Sequence, residues 1–141
     1  MQTSQITDHA AVTKIARVVS SVLPKFSNDY TVKPVIQDSK YGVYLEIHFM
    51  RADPKYAGWA AAQTFSWKVH EGTLYISDTY VPEEMRGKGF LGACLSKIRQ
   101  IPELNGTAVV HVAVNQAWPK ILQRAGFTQK KVSSHLLQPE Q

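Results

Sequence analysis

The sequence predicts an α/β (α+β) fold, a single domain in which helices flank a mixed central β-sheet. Apolar residues recur at helical spacing in separate stretches, they alternate at period two in others, and one later run is apolar almost throughout. A chain of 141 residues is long enough to bury a core without disulfides or metal. We therefore treat residues 1–141 as one domain, with a core at about 8–137.

The chain begins with a predicted amphipathic helix. Thr7 or Asp8 can cap its start, and Pro24 marks its end. The apolar residues that follow helical spacing are Val12, Ile15, Ala16, Val19, Val22, Leu23 and Phe26.

Antiparallel strands are predicted next. Alternation is clearest at residues 43–49, and a weaker strand at 30–36, limited by Pro34, precedes it. Residues 51–56 are predicted to form a turn. Alternation at 64–69, a turn at Glu71 and Gly72, and a further strand at 74–81 together predict a β-hairpin.

The second half of the chain predicts a helix, a strand, a helix and a strand. The apolar run at 108–114 is typical of a strand covered on both faces, so His111 is expected to be a buried histidine rather than a catalyst. A helix closed by Gly126 and a strand at 128–137 follow. The unit from 74 to 114 predicts a right-handed parallel crossover. The helix of this unit ends at Pro102. Its apolar residues at helical spacing are Leu91, Cys94, Leu95, Ile98 and Ile101.

Composition limits the compartment and the partners. Cys94 is the only cysteine, so it forms no internal disulfide, which is typical of a reducing compartment. The start of the sequence has no signal pattern, and no apolar run approaches the roughly 20 residues of a membrane span. We therefore expect a cytoplasmic protein with no membrane partner. The net charge of +5 favours an anionic ligand, but the basic residues are scattered, so a nucleic-acid partner is possible and unsupported. The histidines and the cysteine show no metal-ligand spacing, and no metal is predicted.

A glycine-rich basic turn at residues 86–92 joins the strand at 74–81 to the next helix. Glycines permit a close backbone approach, amides at a helix N-terminus bind anions, and Arg86 and Lys88 add positive charge. The P-loop pattern is absent. The letters of the dinucleotide fingerprint match, but the preceding strand belongs to a hairpin, and no acidic residue ends a following strand about 20 residues on. The pattern therefore indicates a phosphate site, with a solvated strand-to-helix turn as the alternative.

Residues 81–95 resemble the central motif of the GNAT superfamily of CoA-dependent N-acyltransferases. In that family a bulged strand enters a loop with Gln or Arg first, Gly fourth and Gly or Ala sixth, and a helix follows. The first five positions are matched by Arg86-Gly87-Lys88-Gly89-Phe90. The family's second motif, an asparagine and then a short helix ending in Gly-Phe, is matched by Asn115 and Gly126-Phe127. The resemblance covers about residues 8–137.

The resemblance implies a GNAT-like fold, with a V-shaped split between two parallel strands, and acetyl-CoA as the cofactor. Asn115 would contact the pantetheine arm or the thiol, and Trp118 would cover the cofactor or merely anchor its helix. The pantetheine would pair with the backbone of Thr79, Tyr80 and Val81, and an amide near Val81 would polarise the acyl carbonyl. The CoA pyrophosphate would lie on the amides of Arg86, Gly87, Lys88, Gly89, Phe90, Leu91 and Gly92.

Two positions depart from the family pattern. Leu91 stands where the family prefers Gly or Ala; either it points into the core or the loop is shifted so that Gly92 takes the role. Leu122 stands where many members carry a tyrosine that protonates the leaving thiolate. A base that accepts the amine proton is also needed, and the candidates are Asp78 first, then Tyr80 and Glu83. A solvated structural role is the alternative for Asp78.

The resemblance implies an N-acetyltransferase that transfers acetyl from acetyl-CoA to a primary amine by direct attack in a ternary complex. The alternative is a CoA-binding or regulatory module with weak or no transfer, which could act on a nucleic-acid-linked partner. No pattern in the sequence identifies the amine acceptor, and a homodimer remains open.

Overall fold

The structure, a computed structural model, describes residues 3–51, 60–111 and 118–130. Within these ranges six strands form one mixed sheet with helices packed against it. The α/β class predicted from the sequence is therefore confirmed. The elements in chain order are α1 (Thr3–Val22), β1 (Tyr30–Ser39), β2 (Gly42–Arg51), β3 (Ala60–His70), β4 (Thr73–Thr79), α2 (Phe90–Ile98), β5 (Thr107–Val110), α3 (Trp118–Ala125) and β6 (Thr128–Lys130).

The strands lie in the sheet in their chain order. The first four pair antiparallel, β4 pairs parallel with β5, and β5 pairs parallel with β6. The hairpin with its turn at Glu71 and Gly72 and the parallel crossover through α2 are confirmed. β1 is longer than predicted, because it lies at the sheet edge and pairs only with β2, where Pro34 is tolerated.

The end of β4 carries an irregularity that re-aims its last residue. Phe65 pairs with Thr79, whereas Trp67 pairs with Ile76, so β4 has one residue more than β3 between these two pairs. This is the arrangement of a β-bulge, which bends a strand and redirects side chains. As a result the Trp67 indole N–H donates a hydrogen bond of 2.7 Å to the Thr79 hydroxyl.

The described pairing of β4 with β5 covers only the first part of β4. It runs from Leu74 and Ala108 to Ile76 and Val110, and then the amide of His111 donates to the Ile76 carbonyl at 2.8 Å. The last residues of the strands predicted at 108–114 and 128–137 lie outside the described residues. His111 itself is exposed, with its ring edge-to-face against Tyr75, so the expectation of a buried histidine was wrong. It sits just beyond the four-residue strand β5, where the cover on both faces ends.

Aromatic rings attach the start of α2 to the sheet. Phe90, the first residue of α2, lies edge-to-face with Phe49 of β2 at 6.0 Å and with Phe26 at 5.5 Å between ring centroids. Phe49 in turn contacts Phe65 of β3 at 5.5 Å. Such contacts stabilise a core beyond the area that they bury. They hold the turn before Phe90 at a defined place on the sheet.

Cys94 lies in the same core, as its position on the apolar stripe of α2 predicts. Burial raises the pKa of its thiol to about 12, so that the thiolate is not formed near neutral pH. The prediction that Cys94 packs in the core is confirmed.

Helix α1 begins before the expected cap. It starts at Thr3, so Asp8 lies inside the helix and is buried, with 2% of its surface exposed. Its carboxylate accepts hydrogen bonds from the amides of Glu71 at 2.8 Å and Gly72 at 2.9 Å. Asp8 therefore connects α1 to the β3–β4 turn through long-range hydrogen bonds. The prediction that Thr7 or Asp8 caps the start of the helix was wrong.

Helix α2 ends at Ile98, before the predicted Ile101, which is buried in the turn that follows. None of the helices in the described ranges is long and apolar enough to cross a membrane.

Candidate functional site

The basic glycine turn lies between the end of β4 and the start of α2. A short 3₁₀ turn, Glu83–Met85, leads into it, and Gly87 and Gly89 have φ angles of 73° and 83°. Residues other than glycine rarely adopt backbone angles in this left-handed region. A Cβ atom at either glycine would have no heavy atom within 4 Å. The two glycines therefore allow the positive φ angles that the turn requires, and they leave the space above the turn open.

The amides of residues 87–92 have no acceptor in the described part of the chain. The first hydrogen bond of α2 runs from Ala93 N to Gly89 O at 2.9 Å, so the amides of Phe90, Leu91 and Gly92 are the unpaired donors of a helix N-terminus. The helix dipole adds positive potential at the same point, and the first turn of α2 carries no acidic residue. This arrangement can bind an anion.

A cleft of about 520 Å³ opens over the turn. One wall is the turn and α2, and the other is α3. The structure thus brings together most of the loop residues predicted from the sequence, and Leu91 and Gly92 both face the cleft. The predicted residues that line it are Val81, Arg86, Gly87, Gly89, Phe90, Leu91 and Gly92.

The charges around the cleft are basic. The Arg86 Nε–H donates to the Val81 carbonyl at 2.7 Å, which fixes the guanidinium beside the strand end. Lys88 is exposed on the turn, and Arg124 of α3 lines the opposite wall. No carboxylate is among the described residues that line the cleft.

A polar cluster of Tyr30, Arg51 and Glu84 attaches the 3₁₀ turn to the sheet edge. The Tyr30 hydroxyl donates to the Glu84 carboxylate at 2.7 Å, and Arg51 donates to Tyr30 at 2.6 Å and to Glu84 at 3.2 Å. Partial burial, together with the bond to Glu84, raises the pKa of Tyr30, and the donated hydroxyl lowers the pKa of Glu84. The cluster positions the segment that leads into the loop.

The three candidate bases lie outside the cleft lining. Asp78 and Tyr80 are exposed at and just after the end of β4, and Glu83 is exposed on the 3₁₀ turn. Asp78 lies in the bulge itself, and Tyr80 and Glu83 lie between the bulge and the basic turn. The Thr79 side chain faces the core through its bond from Trp67, so its backbone is the part that remains for a ligand.

Helix α3 places its two notable residues in the core. Trp118 is 3% exposed and Leu122 is 0% exposed, and both belong to the main hydrophobic cluster. Leu91 is half-buried and packs against that cluster while also lining the cleft. A Cβ atom at Gly92 would meet nothing within 4 Å. Gly92 is therefore the open position, and Asn115 lies outside the described residues.

The resemblance implies that the helix from Ala117 flanks the cofactor, but sequence reasoning missed which residues of α3 line the cleft, and it missed the role of Glu84. Ile121, Arg124 and Ala125 line the cleft, but their helical spacing showed only which face of α3 packs inward. Glu84 lies 54 residues from Tyr30 and 33 from Arg51 along the chain, and no local pattern links positions so far apart.

Comparisons with known proteins add no family to these observations. A scan against models of protein families, a search of curated proteins and a search of solved structures each found no match. In the part of the chain that the structure describes, no three His, Cys, Asp or Glu side chains are grouped so as to hold a metal ion.

Proposed function

We propose that this protein is an N-acetyltransferase of the GNAT type, which transfers acetyl from acetyl-CoA to a primary amine. The observation that carries the proposal is that Val81, which follows the bulged end of β4, the open amides of the glycine turn and the N-terminus of α2 meet at one basic cleft. A diphosphate suits such a place, because amides and a helix dipole together stabilise negative charge.

The loop would hold the CoA pyrophosphate. The amides at 87–92 donate to its oxygens, and Arg86 and Lys88 supply charge. Gly92, where a Cβ atom would face open space, takes the sixth loop position in place of Leu91, which packs against the core. The packing of Leu91 supports the alternative in which its side chain points into the core, and the open space at Gly92 supports the shifted loop.

The pantetheine arm would continue along the end of β4, on the backbone of Thr79, Tyr80 and Val81. Support comes from the bulge, which re-aims this segment. The described β4–β5 pairing reaches the bond between His111 and Ile76. A V-shaped split beyond that bond belongs to this proposal. Asn115 is assigned to the pantetheine or thiol by the resemblance, and Trp118 is assigned to anchoring α3 because it is buried.

In the transfer step the amine nitrogen attacks the thioester carbon. The C–N bond forms, the C–S bond breaks, and the Val81 amide stabilises the carbonyl oxygen as it gains charge. The amine proton passes to Asp78, directly or through water, with Tyr80 and Glu83 as further candidates. Leu122 offers no proton, so solvent protonates the leaving thiolate.

A second candidate function is a CoA-binding or regulatory module with weak or no transfer. The specific observation in its favour is Leu122, which is 0% exposed and leaves no hydroxyl at the position of the usual acid. The two candidates share the cofactor and differ only in turnover.

A location in the cytoplasm is part of the proposal and is supported by a single, buried and unpaired cysteine.

The loop variant Gly89→Asp tests the cofactor site. We expect isothermal titration to detect acetyl-CoA binding by the wild type and none by Gly89→Asp, because a carboxylate would stand where phosphate must lie. Gly89→Ala is the matched control, since it imposes the same positive φ without charge, and its Cβ meets no neighbour. Retained affinity in Gly89→Asp means that the loop is not the site.

A thiol-release assay over a panel of primary amines separates the two functions. Release of CoA thiol that depends on an added amine supports the transferase. Binding of acetyl-CoA with no release for any amine in the panel supports the binding module.

A further inference from the structure

The cleft continues beyond the glycine turn, along the groove between α2 and α3. Ser96 lies four residues after Gly92, about 6 Å further along the axis of α2, and it also lines the cleft. On the facing wall Ile121 and Ala125 provide apolar surface, and Arg124 provides the charge. The far end of the cleft therefore combines a cation, a hydroxyl and an apolar wall.

Arg124 has no ion pair or hydrogen bond with the described residues. A cation in the last turn of a helix can serve simply to offset the helix dipole. At the C-terminal end of α3, however, Arg99 already offsets the helix dipole, because its Nε–H donates a hydrogen bond of 2.9 Å to the Gly126 carbonyl. That bond also joins the end of α2 to the end of α3, so the groove has a fixed wall. Arg124 is thus a second cation at this helix end, and it faces the cleft.

We propose that Arg124 binds a second phosphate of the ligand, the phosphomonoester on the ribose 3′-oxygen of CoA, and so makes the cleft selective for CoA over dephospho-CoA. The inference rests on the proposed function, in which the glycine turn holds the diphosphate. The 3′-phosphate is separated from that diphosphate by one ribose, a span comparable to the helical turn between Gly92 and Ser96. An arginine is suited to it, because its guanidinium can donate two parallel hydrogen bonds to a phosphate.

The experiment compares CoA with dephospho-CoA by isothermal titration. The proteins are the wild type, Arg124→Gln and Lys120→Gln. Lys120 is the matched control, because it is an exposed cation of the same helix and does not line the cleft. We expect the wild type and Lys120→Gln to bind CoA about tenfold more tightly than dephospho-CoA, as one charged hydrogen-bonded pair contributes. In Arg124→Gln that ratio should fall to about one, with dephospho-CoA affinity unchanged.

The outcomes separate this inference from the proposed function. Equal binding of CoA and dephospho-CoA by the wild type overturns the role of Arg124 and leaves the CoA site intact. An equal loss of affinity for both ligands in Arg124→Gln also overturns it, because the residue then acts on the shape of the cleft and not on the 3′-phosphate. Absence of binding for both ligands in the wild type overturns the proposed function and this inference with it.

Discussion

At the two ends of β4, turns with positive-φ glycines lie in opposite surroundings. At the start of the strand, Gly72 has a φ of 79°, and a Cβ atom there would lie 3.3 Å from the Glu103 carbonyl. Beyond the end of the strand, Gly87 and Gly89 have nearly the same φ, and nothing lies within 4 Å of a Cβ atom at either one. Gly72 is packed against the protein, whereas Gly87 and Gly89 face open space.

The backbone amides of the two turns differ in the same way. The amides of Glu71 and Gly72 donate to the buried carboxylate of Asp8, so this turn is satisfied within the fold. The amides of residues 87–92 have no such acceptor among the described residues, and their partners must come from solvent or a ligand. Residues 87–89 are exposed, so water can satisfy their amides until an anion takes its place, as the proposed function requires. Similar glycines thus serve structure at one end of β4 and, in the proposed function, a ligand at the other.

The largest expected effect comes from Gly42→Ala, at the packed end of the sheet. Gly42 has a φ of 130°, and a Cβ atom there would lie 2.8 Å from the Val69 carbonyl oxygen. Backbone strain and overpacking add, so we expect the free energy of unfolding to fall by about 3 kcal/mol. Urea denaturation followed by circular dichroism measures it.

Gly89→Ala is the matched comparison for Gly42→Ala. It has a φ of 83° but no neighbour within 4 Å, so only the conformational cost of about 1 kcal/mol applies. Equal losses of stability in the two variants would mean that the close packing around Gly42 adds nothing to the cost of its positive φ.

Much of the fold was predictable because its causes are local. Alternation identified β2 and the β3–β4 hairpin, and helical spacing identified the α-helices of the described residues, since side-chain periodicity depends only on neighbouring residues. The glycine turn was predictable for the same reason. Glycines and basic residues just before a helical stripe of apolar residues can be read from the sequence itself.

The rest depends on contacts between distant residues. Asp8 looked like a helix cap, and only the packing of α1 brings it to the amides of Glu71 and Gly72. Arg124 carries no local signal, because its place in the cleft follows from how α3 packs beside α2. The exposure of His111 was not predicted, because an apolar run indicates that a strand is buried but does not show at which residue the burial ends.

Asp8→Ala tests the satisfied turn and has the next largest expected effect. Removal of the carboxylate leaves two amides without a partner, so we expect a loss of about 2 kcal/mol in the free energy of unfolding. Asp8→Asn is the control, because its amide oxygen keeps one acceptor and nearly the same volume, and its loss should be smaller. Acetyl-CoA affinity of the folded protein should not change, since the proposed site lies at the other end of β4. A parallel loss of affinity in Asp8→Ala would show that the two ends are coupled.

The smallest change in stability, and the sharpest test of the open end, comes from Gly92→Ala. Gly92 lies in the first turn of α2 and its φ is not positive, so neither packing nor backbone geometry requires glycine there. Alanine is the better helix former, and the free energy of unfolding should rise by about 0.5 kcal/mol. If the CoA diphosphate approaches this position closely, the added methyl group stands in its way, and titration should show acetyl-CoA affinity about tenfold lower in a more stable protein. A structural role for Gly92 cannot produce this combination, because any packing function would be damaged together with stability. Unchanged affinity would return the sixth loop position to Leu91.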